Sequence, residues 1–528
     1  METESSPRTG RLVLGLGIAV FAGVWATRLA LVWFMPDRWL FASVPDDAFY
    51  YFQIARNIAG GVGSTFDGIN KTNGYHPLWM ICCSTVALLK DATIEGGAAF
   101  ARAMLTFQLL LGGSAYALLA VVLARARVRL ALVGLLLLFG ANPYTVYGFT
   151  DGMESGAVLL FCAAFVATCL RWRPSETAVE VRDVAFGALL GIGFLARLDL
   201  ALLAVASGVA AFAMIGWRTP RAILAKGAAW GVPFLLTFVV YTFLNSRTFD
   251  SLTPISGALK SSFPVPTLNT VALRGHFPAI VFGILVVAGG VWLARDLSAP
   301  RERRFLSLAV AVFVAMHLGH TIFFTRWGVH AWHFTAVWLL GATVAAMLGD
   351  RLPQLRGTAV AAIAAVLFVV SIAGQIVFLR GREDRAFQAR SFDAAAWARD
   401  HVLPGRAIGM SDCGAFGFAL GGLVVNLDGV VNNRAYQEAL ITRGLGEYLR
   451  EQGVGYLAHH AVRVERVGNG YGTYDYRAFS RLYNRPGGAV LLSEHDEVYR
   501  SAPFNDGKGE KVFVVWKLPS RPLRPRPR

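Results

Sequence analysis

Residues 41–80 read FASVPDDAFYYFQIARNIAGGVGSTFDGINKTNGYHPLWM. They follow the first hydrophobic segment of the chain, so Asp46 and Asp47 stand side by side at its end. Adjacent carboxylates at a membrane surface are unusual, because hydrocarbon excludes ionised groups and like charges oppose each other's ionisation. Tyrosines, glycines and the run Asn73-Gly74-Tyr75-His76-Pro77-Leu78-Trp79 follow within one short loop. Taken together, the stretch points to a catalytic base at the rim of a membrane-embedded cavity. One carboxylate would deprotonate an acceptor hydroxyl while its neighbour tunes it or orients the substrate. A structural reading stands beside this one. Pro45-Asp46-Asp47 precedes an amphipathic helix over 48–59, and acidic residues favour any helix N-terminus.

The composition sets the class. Of 528 residues, 55% are hydrophobic and 16% charged, and the mean hydropathy is +0.49. The apolar residues come in runs of membrane-spanning length, as in a polytopic membrane protein. The formal charge of +16 comes mainly from arginines at the ends of those runs. Basic flanks are what membrane insertion requires, so the charge speaks for membrane lipids and against nucleic acid as a partner. Cys82, Cys83, Cys162, Cys169 and Cys413 have no metal-ligand spacing and read as small buried hydrophobes without a disulfide framework.

Candidate spans are 12–34, 104–123, 130–147, 155–170, 184–196, 200–217, 228–244, 277–294, 305–323, 332–348 and 357–378. The pattern predicts about 11 transmembrane helices, within a range of 11–13. Arginine clusters fix the orientation: Arg8 and Arg11; Arg125, Arg127 and Arg129; Arg171 and Arg173; Arg218 and Arg221; Arg301, Arg303 and Arg304; Arg351 and Arg356. Placing all of them in the cytoplasm leaves Asp46/Asp47, Asp151/Glu154, Arg197/Asp199, Lys260 and the 326–333 stretch outside. The apolar segment 76–89 breaks this count. At about 14 residues it is short for a span and opens on a proline, so it reads as a re-entrant or surface-lying helix; full crossing is the alternative.

After residue 380 the hydropathy falls. Helical patterns at 392–400 and 435–451 alternate with short apolar strands at 407–410, 424–427 and 512–516, and the turns carry glycines. This predicts a small extracytoplasmic α/β domain over 381–520, after a membrane module over 1–380 whose first outer loop is 35–99. The basic, proline-rich end at 521–528 is expected to be disordered.

Other polar residues near the outer ends of spans are candidates too. Asp151 and Glu154, in Asp-Gly-Met-Glu, suit a sugar hydroxyl or a divalent cation shared with Asp46, or equally a helix cap. Arg197 and Asp199 interrupt an apolar run where an unpaired charge costs a few kcal/mol. Being two residues apart, they would face different sides of a helix, so the backbone is expected to break there. Arg28, within the first span, needs an internal partner or a lipid phosphate. Lysine is scarce, and Lys260 in a polar outer stretch is a candidate phosphate contact. Arg326, His330 and His333 sit among two tryptophans. They read either as an interfacial aromatic belt or as a wall that neutralises phosphate and stacks on a sugar ring. His330 and His333 lack a third metal ligand nearby in sequence.

Together these residues resemble the GT-C superfamily of membrane glycosyltransferases, which take a sugar from a polyprenyl-phosphate donor at the outer membrane face. The resemblance is most specific over 45–79: Asp46-Asp47-Ala48, Gly63, Gly68 and the Asn73–Trp79 run. Gly152-Met153-Glu154 is a second match. Within the superfamily the chain is similar to bacterial arabinofuranosyl- and mannosyl-transferase-like members, although Thr72-Asn73 stand where those often carry an acidic residue. The resemblance implies a GT-C-like fold and an inverting hexosyl- or pentosyltransferase of the bacterial cytoplasmic membrane. Asp46 would be its catalytic base, with Asp47 beside it. Lys260, Arg326, His330, His333 and Arg197 would hold the donor phosphate and sugar. Asn73, Tyr75, His76, Asp151 and Glu154 would serve the acceptor or shape the first loop. The expected partners are a polyprenyl-phosphate-linked sugar donor, a glycan, lipid or protein acceptor, and membrane lipids; no cofactor is implied beyond an optional divalent cation. The rival classes are a transporter or flippase of lipid-linked sugars, and an oligosaccharide ligase or polymerase.

Overall fold

The computed structural model describes residues 7–90, 97–142, 150–172, 178–215, 219–352, 357–379, 386–464, 473–506 and 509–518. It is mainly helical, with a strand-rich C-terminal domain. Seven helices among the described residues are long and apolar enough to cross a membrane: Arg8–Phe34, Gly97–Arg125, Leu198–Ile215, Pro220–Phe249, Phe277–Arg295, Arg301–Phe323 and Ala331–Asp350. The other expected spans also form helices, but shorter or less apolar ones or ones that run into undescribed residues, so seven is the number that length and composition carry. Leu235, Leu236, Val239, Val240 and Phe243 on the helix Pro220–Phe249 are all exposed, as lipid-facing residues would be.

Close helix crossings rest on glycine. The first helix, α1 (Pro7–Phe34), meets the helix Leu130–Gly140 at Gly17 and Gly134, where a Cβ on either would strike the other helix's backbone. At one end of the bundle, arginines and aspartates knit helix termini together. Arg303 Nη1 donates to Asp350 Oδ2 at 2.8 Å and Arg303 Nη2 to the Ala126 carbonyl at 2.7 Å, while the Arg129 N–H reaches Asp350 Oδ1 at 3.0 Å. The arginine clusters of three segments thus share one end.

The opposite end carries the first loop. Two short helices, α2 (Asp37–Ser43) and α3 (Asp46–Ala59), lead into an irregular stretch pinned by Asp67, whose Oδ1 accepts the N–H groups of Ile69 and Asn70. The segment 76–89 forms α4 (Pro77–Lys90). At 14 residues it is about 21 Å long, short of a hydrocarbon core. Trp79 anchors it by donating Nε1–H to the Gly152 carbonyl at 3.0 Å. The apolar run around residue 197 breaks as expected: the helix Val181–Ala196 stops, Arg197 is extended, and a 3-10 turn Leu198–Leu200 restarts the chain into Ala201–Ile215.

The C-terminal sheet runs β2-β1-β3-β8-β6, with β7 also on β8. Its strands are β1 (Ala407–Met410), β2 (Val424–Asn426), β3 (Val454–Arg463), β6 (Glu497–Arg500), β7 (Phe504–Asn505) and β8 (Glu510–Lys517). The β1 pairings are parallel and those of β8 antiparallel. β4 (Thr473–Ser480) and β5 (Arg485–Ser493) form a separate antiparallel pair. The helix expected over 435–451 is two helices, Arg434–Thr442 and Leu445–Glu451, because Gly444 at φ 82° turns the chain between them.

This domain docks tightly on the first loop. A Cβ at Gly414 would collide with the Asp46 carbonyl, and one at Gly74 with the Val430 carbonyl. Arg56 donates to the Phe418 carbonyl at 3.0 Å with its guanidinium 4.1 Å from the Phe418 ring centroid.

Candidate active site

Where the first loop, the adjoining helix ends and the C-terminal domain meet, they line a cavity of about 370 Å³. Of the residues expected to form a site, Asp47, Tyr75, His76, Glu154, Arg197, Lys260 and His333 line it. Val430 and Val431 close one side from the C-terminal domain.

Asp46 is not among the lining residues, although it had been expected to act as the base. Its Oδ2 accepts the Gly414 N–H and its Oδ1 the Ala415 N–H, both at 2.8 Å. It therefore satisfies the first turn of the helix Gly414–Leu420 in the other domain, and makes no side-chain cap bond on its own helix α3. Burial pushes its carboxyl up to about 7, against the two backbone donors, with Asp47 and Asp428 adding to the rise. Beside it, Tyr50 donates to Asp428 Oδ2 at 3.1 Å and accepts the Cys413 N–H at 3.1 Å. Burial also raises the Asp428 carboxyl.

Asp47, the next residue, does reach the cavity. Its Oδ2 lies 3.6 Å from Lys260 Nζ, with both side chains about a quarter exposed. Lys260 ends the short helix Ile255–Lys260, and two further candidates hold that helix in place. Asn73 accepts the Ile255 N–H at 3.0 Å and donates to the Thr253 carbonyl at 3.2 Å. Arg326 donates Nε–H to the Leu259 carbonyl at 3.2 Å, and its backbone N–H goes to the Lys260 carbonyl at 2.9 Å. Asn73 and Arg326 therefore support Lys260 and do not line the cavity themselves.

Asp151 also lies outside the lining. It accepts from Gln108, from the Met153 N–H at 2.9 Å and from Ser155 Oγ at 2.7 Å, which fixes the turn entering the helix Ser155–Trp172. His330 is exposed and stacks on Trp332 at 4.4 Å between centroids, outside the lining. Among the described residues, no three His, Cys, Asp or Glu side chains form a metal-ligand set.

Part of the cavity wall is a buried ionic chain. Arg197 Nη1 donates to Glu154 Oε1 at 2.7 Å and Nε to Asp199 Oδ1 at 2.9 Å. Glu154 Oε2 accepts from Tyr51 Oη at 3.3 Å, and Tyr51 Oη in turn accepts the His76 N–H at 3.0 Å. His76 Nε2 stands 3.6 Å from Glu154 Oε1. A buried arginine shared by two carboxylates balances charge that would otherwise be costly at this depth.

Several lining residues were not among the expected ones: Tyr50, Tyr51, His317 and His320. His317 and His320 lie three apart in the span Arg301–Phe323, and imidazoles inside an apolar span are themselves a sequence signal of a site.

The fold is thus a many-helix membrane body with a strand-rich C-terminal domain over this cavity. The chain shares this fold with ArnT from Cupriavidus metallidurans. In its undecaprenyl-phosphate-bound structure the TM-score is 0.57 at 15% identity, over 95% of this chain and 97% of that one. Its apo structure gives a TM-score of 0.53 at 15% identity, over 97% and 98%. No family model matches the chain, and no curated protein does.

Proposed function

We propose that this protein is an inverting glycosyltransferase that moves a sugar from a polyprenyl-phosphate-linked donor to a glycan, lipid or protein of the cell envelope. The observation that carries this reading is the Asp47–Lys260 pair, one carboxylate and one ammonium side by side in the wall of the cavity. Its setting supports the reading, since ArnT, which shares the fold, has been captured with undecaprenyl phosphate.

In the proposed reaction Lys260 faces the donor phosphate. Its charge offsets the negative charge that builds on that phosphate as the anomeric C–O bond breaks. The acceptor oxygen attacks the anomeric carbon from the opposite side and gives its proton to the Asp47 carboxylate. The products are the glycosylated acceptor and the lipid phosphate. A single displacement inverts the anomeric centre and needs no carboxylate nucleophile. Asp47 replaces Asp46 as the base because Asp46 is committed to Gly414 and Ala415. Tyr75, His76 and His333 contribute polar contacts to the substrates, while Arg197 orders Glu154 and Asp199 beneath them.

The proposed topology keeps eleven crossings, with the arginine-rich end in the cytoplasm and the cavity and 381–520 domain outside. The test uses the purified protein in sealed proteoliposomes with radiolabelled polyprenyl-phosphate sugars. Label transferred to an envelope acceptor supports the transferase. Intact lipid-linked sugar moved across the bilayer without transfer would instead make it a flippase.

A further inference from the structure

His317 has no role in the steps above, yet its ring lies in the cavity wall with a side chain only 4% exposed. Neither ring nitrogen makes a hydrogen bond among the described residues. Asp199 Oδ2 is 3.7 Å from Nδ1, beyond hydrogen-bond length, and the His333 backbone approaches the ring closely enough to interact with it electrostatically. The rings of Phe313 and Phe334 pack 5.7 and 5.9 Å away by centroid. A buried imidazole without a well-formed hydrogen bond gains little for the hydration it loses, so such a group in a cavity wall marks a place for a ligand atom.

The surroundings define that atom. Arg197 is held at 2.7 and 2.9 Å by two carboxylates, Glu154 and Asp199, whereas Lys260 has one, Asp47, at 3.6 Å and is more exposed, so the phosphate belongs with Lys260. Asp199 is still 22% exposed and keeps acceptor capacity beyond its bond to Arg197. A single hydroxyl about 2.8 Å from both groups would accept the imidazole N–H and donate to the carboxylate. Neutral and hydroxyl-bearing, in a cavity whose wall also carries Trp327 and Trp332, describes a sugar ring. We infer that His317 and Asp199 read one ring hydroxyl of the donor's sugar, making His317 a specificity-determining residue. This deepens the lipid-linked-donor reading and rests on it.

The test titrates the full-length protein in nanodiscs with bare undecaprenyl phosphate and with undecaprenyl phosphate carrying mannose, glucose or arabinofuranose. The parent should hold at least one sugar-bearing lipid more tightly than the bare one. His317→Leu should remove about ten- to hundredfold of affinity for that lipid and leave binding of the bare lipid unchanged. His317→Gln, which keeps a donor, should recover part of the loss. Equal losses for both lipids, or no loss for either, would overturn the assignment. A parent that binds the bare lipid as well as every sugar-bearing one would overturn the sugar subsite alone. A parent that binds no lipid at all would overturn the donor reading together with it.

Discussion

The Asp46 carboxylate accepts the backbone N–H of Gly414 at 2.8 Å across 368 residues of sequence. With the neighbouring bond from Ala415, this makes Asp46 a clamp between the first loop and the C-terminal domain, and it leaves Asp47 to the cavity. Both aspartates matter in this account, but they should fail differently when changed.

The clamp should depend on pH. The Asp46 carboxyl is raised to about 7 from an ordinary 3.8, so between those values the folded protein holds a proton that the unfolded chain has released. Unfolding then releases protons, and stability falls as pH rises from about 4 through 7. Amide hydrogen exchange at Gly414 and Ala415 should quicken, beyond its intrinsic pH dependence, over that range. Asp46→Asn should flatten the trend, because the amide has no proton to lose; a trend unchanged in Asp46→Asn would place its origin elsewhere.

Lys260→Ala should weaken donor binding by roughly 1.5–3 kcal/mol, the worth of a charge-assisted contact in a partly dry site. Arg326 bonds to the backbone of the helix that ends at Lys260, so Arg326→Ala should act through Lys260 and cost less. The double variant should bind donor no worse than Lys260→Ala. Full additivity in a double-mutant cycle would mean that Arg326 meets the phosphate directly.

Arg197→Ala should be the most damaging of the cavity substitutions to stability, by roughly 3–5 kcal/mol, because it strands two carboxylates beside a buried gap. Thermal unfolding in detergent reads this out. Arg197→Lys should recover part, since an ammonium cannot span Glu154 and Asp199 as the planar guanidinium does. A parent-like melting temperature in Arg197→Ala would contradict the ionic chain.

Orientation can be checked by labelling with an impermeant thiol reagent, in a background where Cys82, the only cysteine that is not buried, is replaced. Cysteines at the exposed positions Ile69 and Arg434 should react from outside, and those at exposed Arg127 and Arg301 should not. External labelling at position 127 would mean that α4 crosses the membrane.

Much of this architecture is legible in the sequence because lipid and strand pairing impose strict patterns. The apolar runs, the break at Arg197 and the strands at 407–410 and 424–427 all follow from periodicity and hydropathy. The site is legible only in outline. Asp46-Asp47 marks the place, but which carboxylate is free depends on Gly414, and no local pattern links positions 46 and 414. Asn73, Asp151 and Arg326 look like ligand-binding groups in sequence, yet each spends its polar atoms on nearby chain. His317 went unread for the opposite reason: its apolar neighbours made it look like part of a span, and only the fold sets it opposite Asp199.

The most direct measurement compares sugar transfer and donor binding in the parent protein and in Asp47→Asn. The amide keeps the shape of the carboxylate but cannot take a proton. Transfer from the lipid-linked sugar should be lost by several orders of magnitude while donor binding and the melting temperature stay near those of the parent. Turnover by Asp47→Asn at the parent rate would contradict Asp47 as the base.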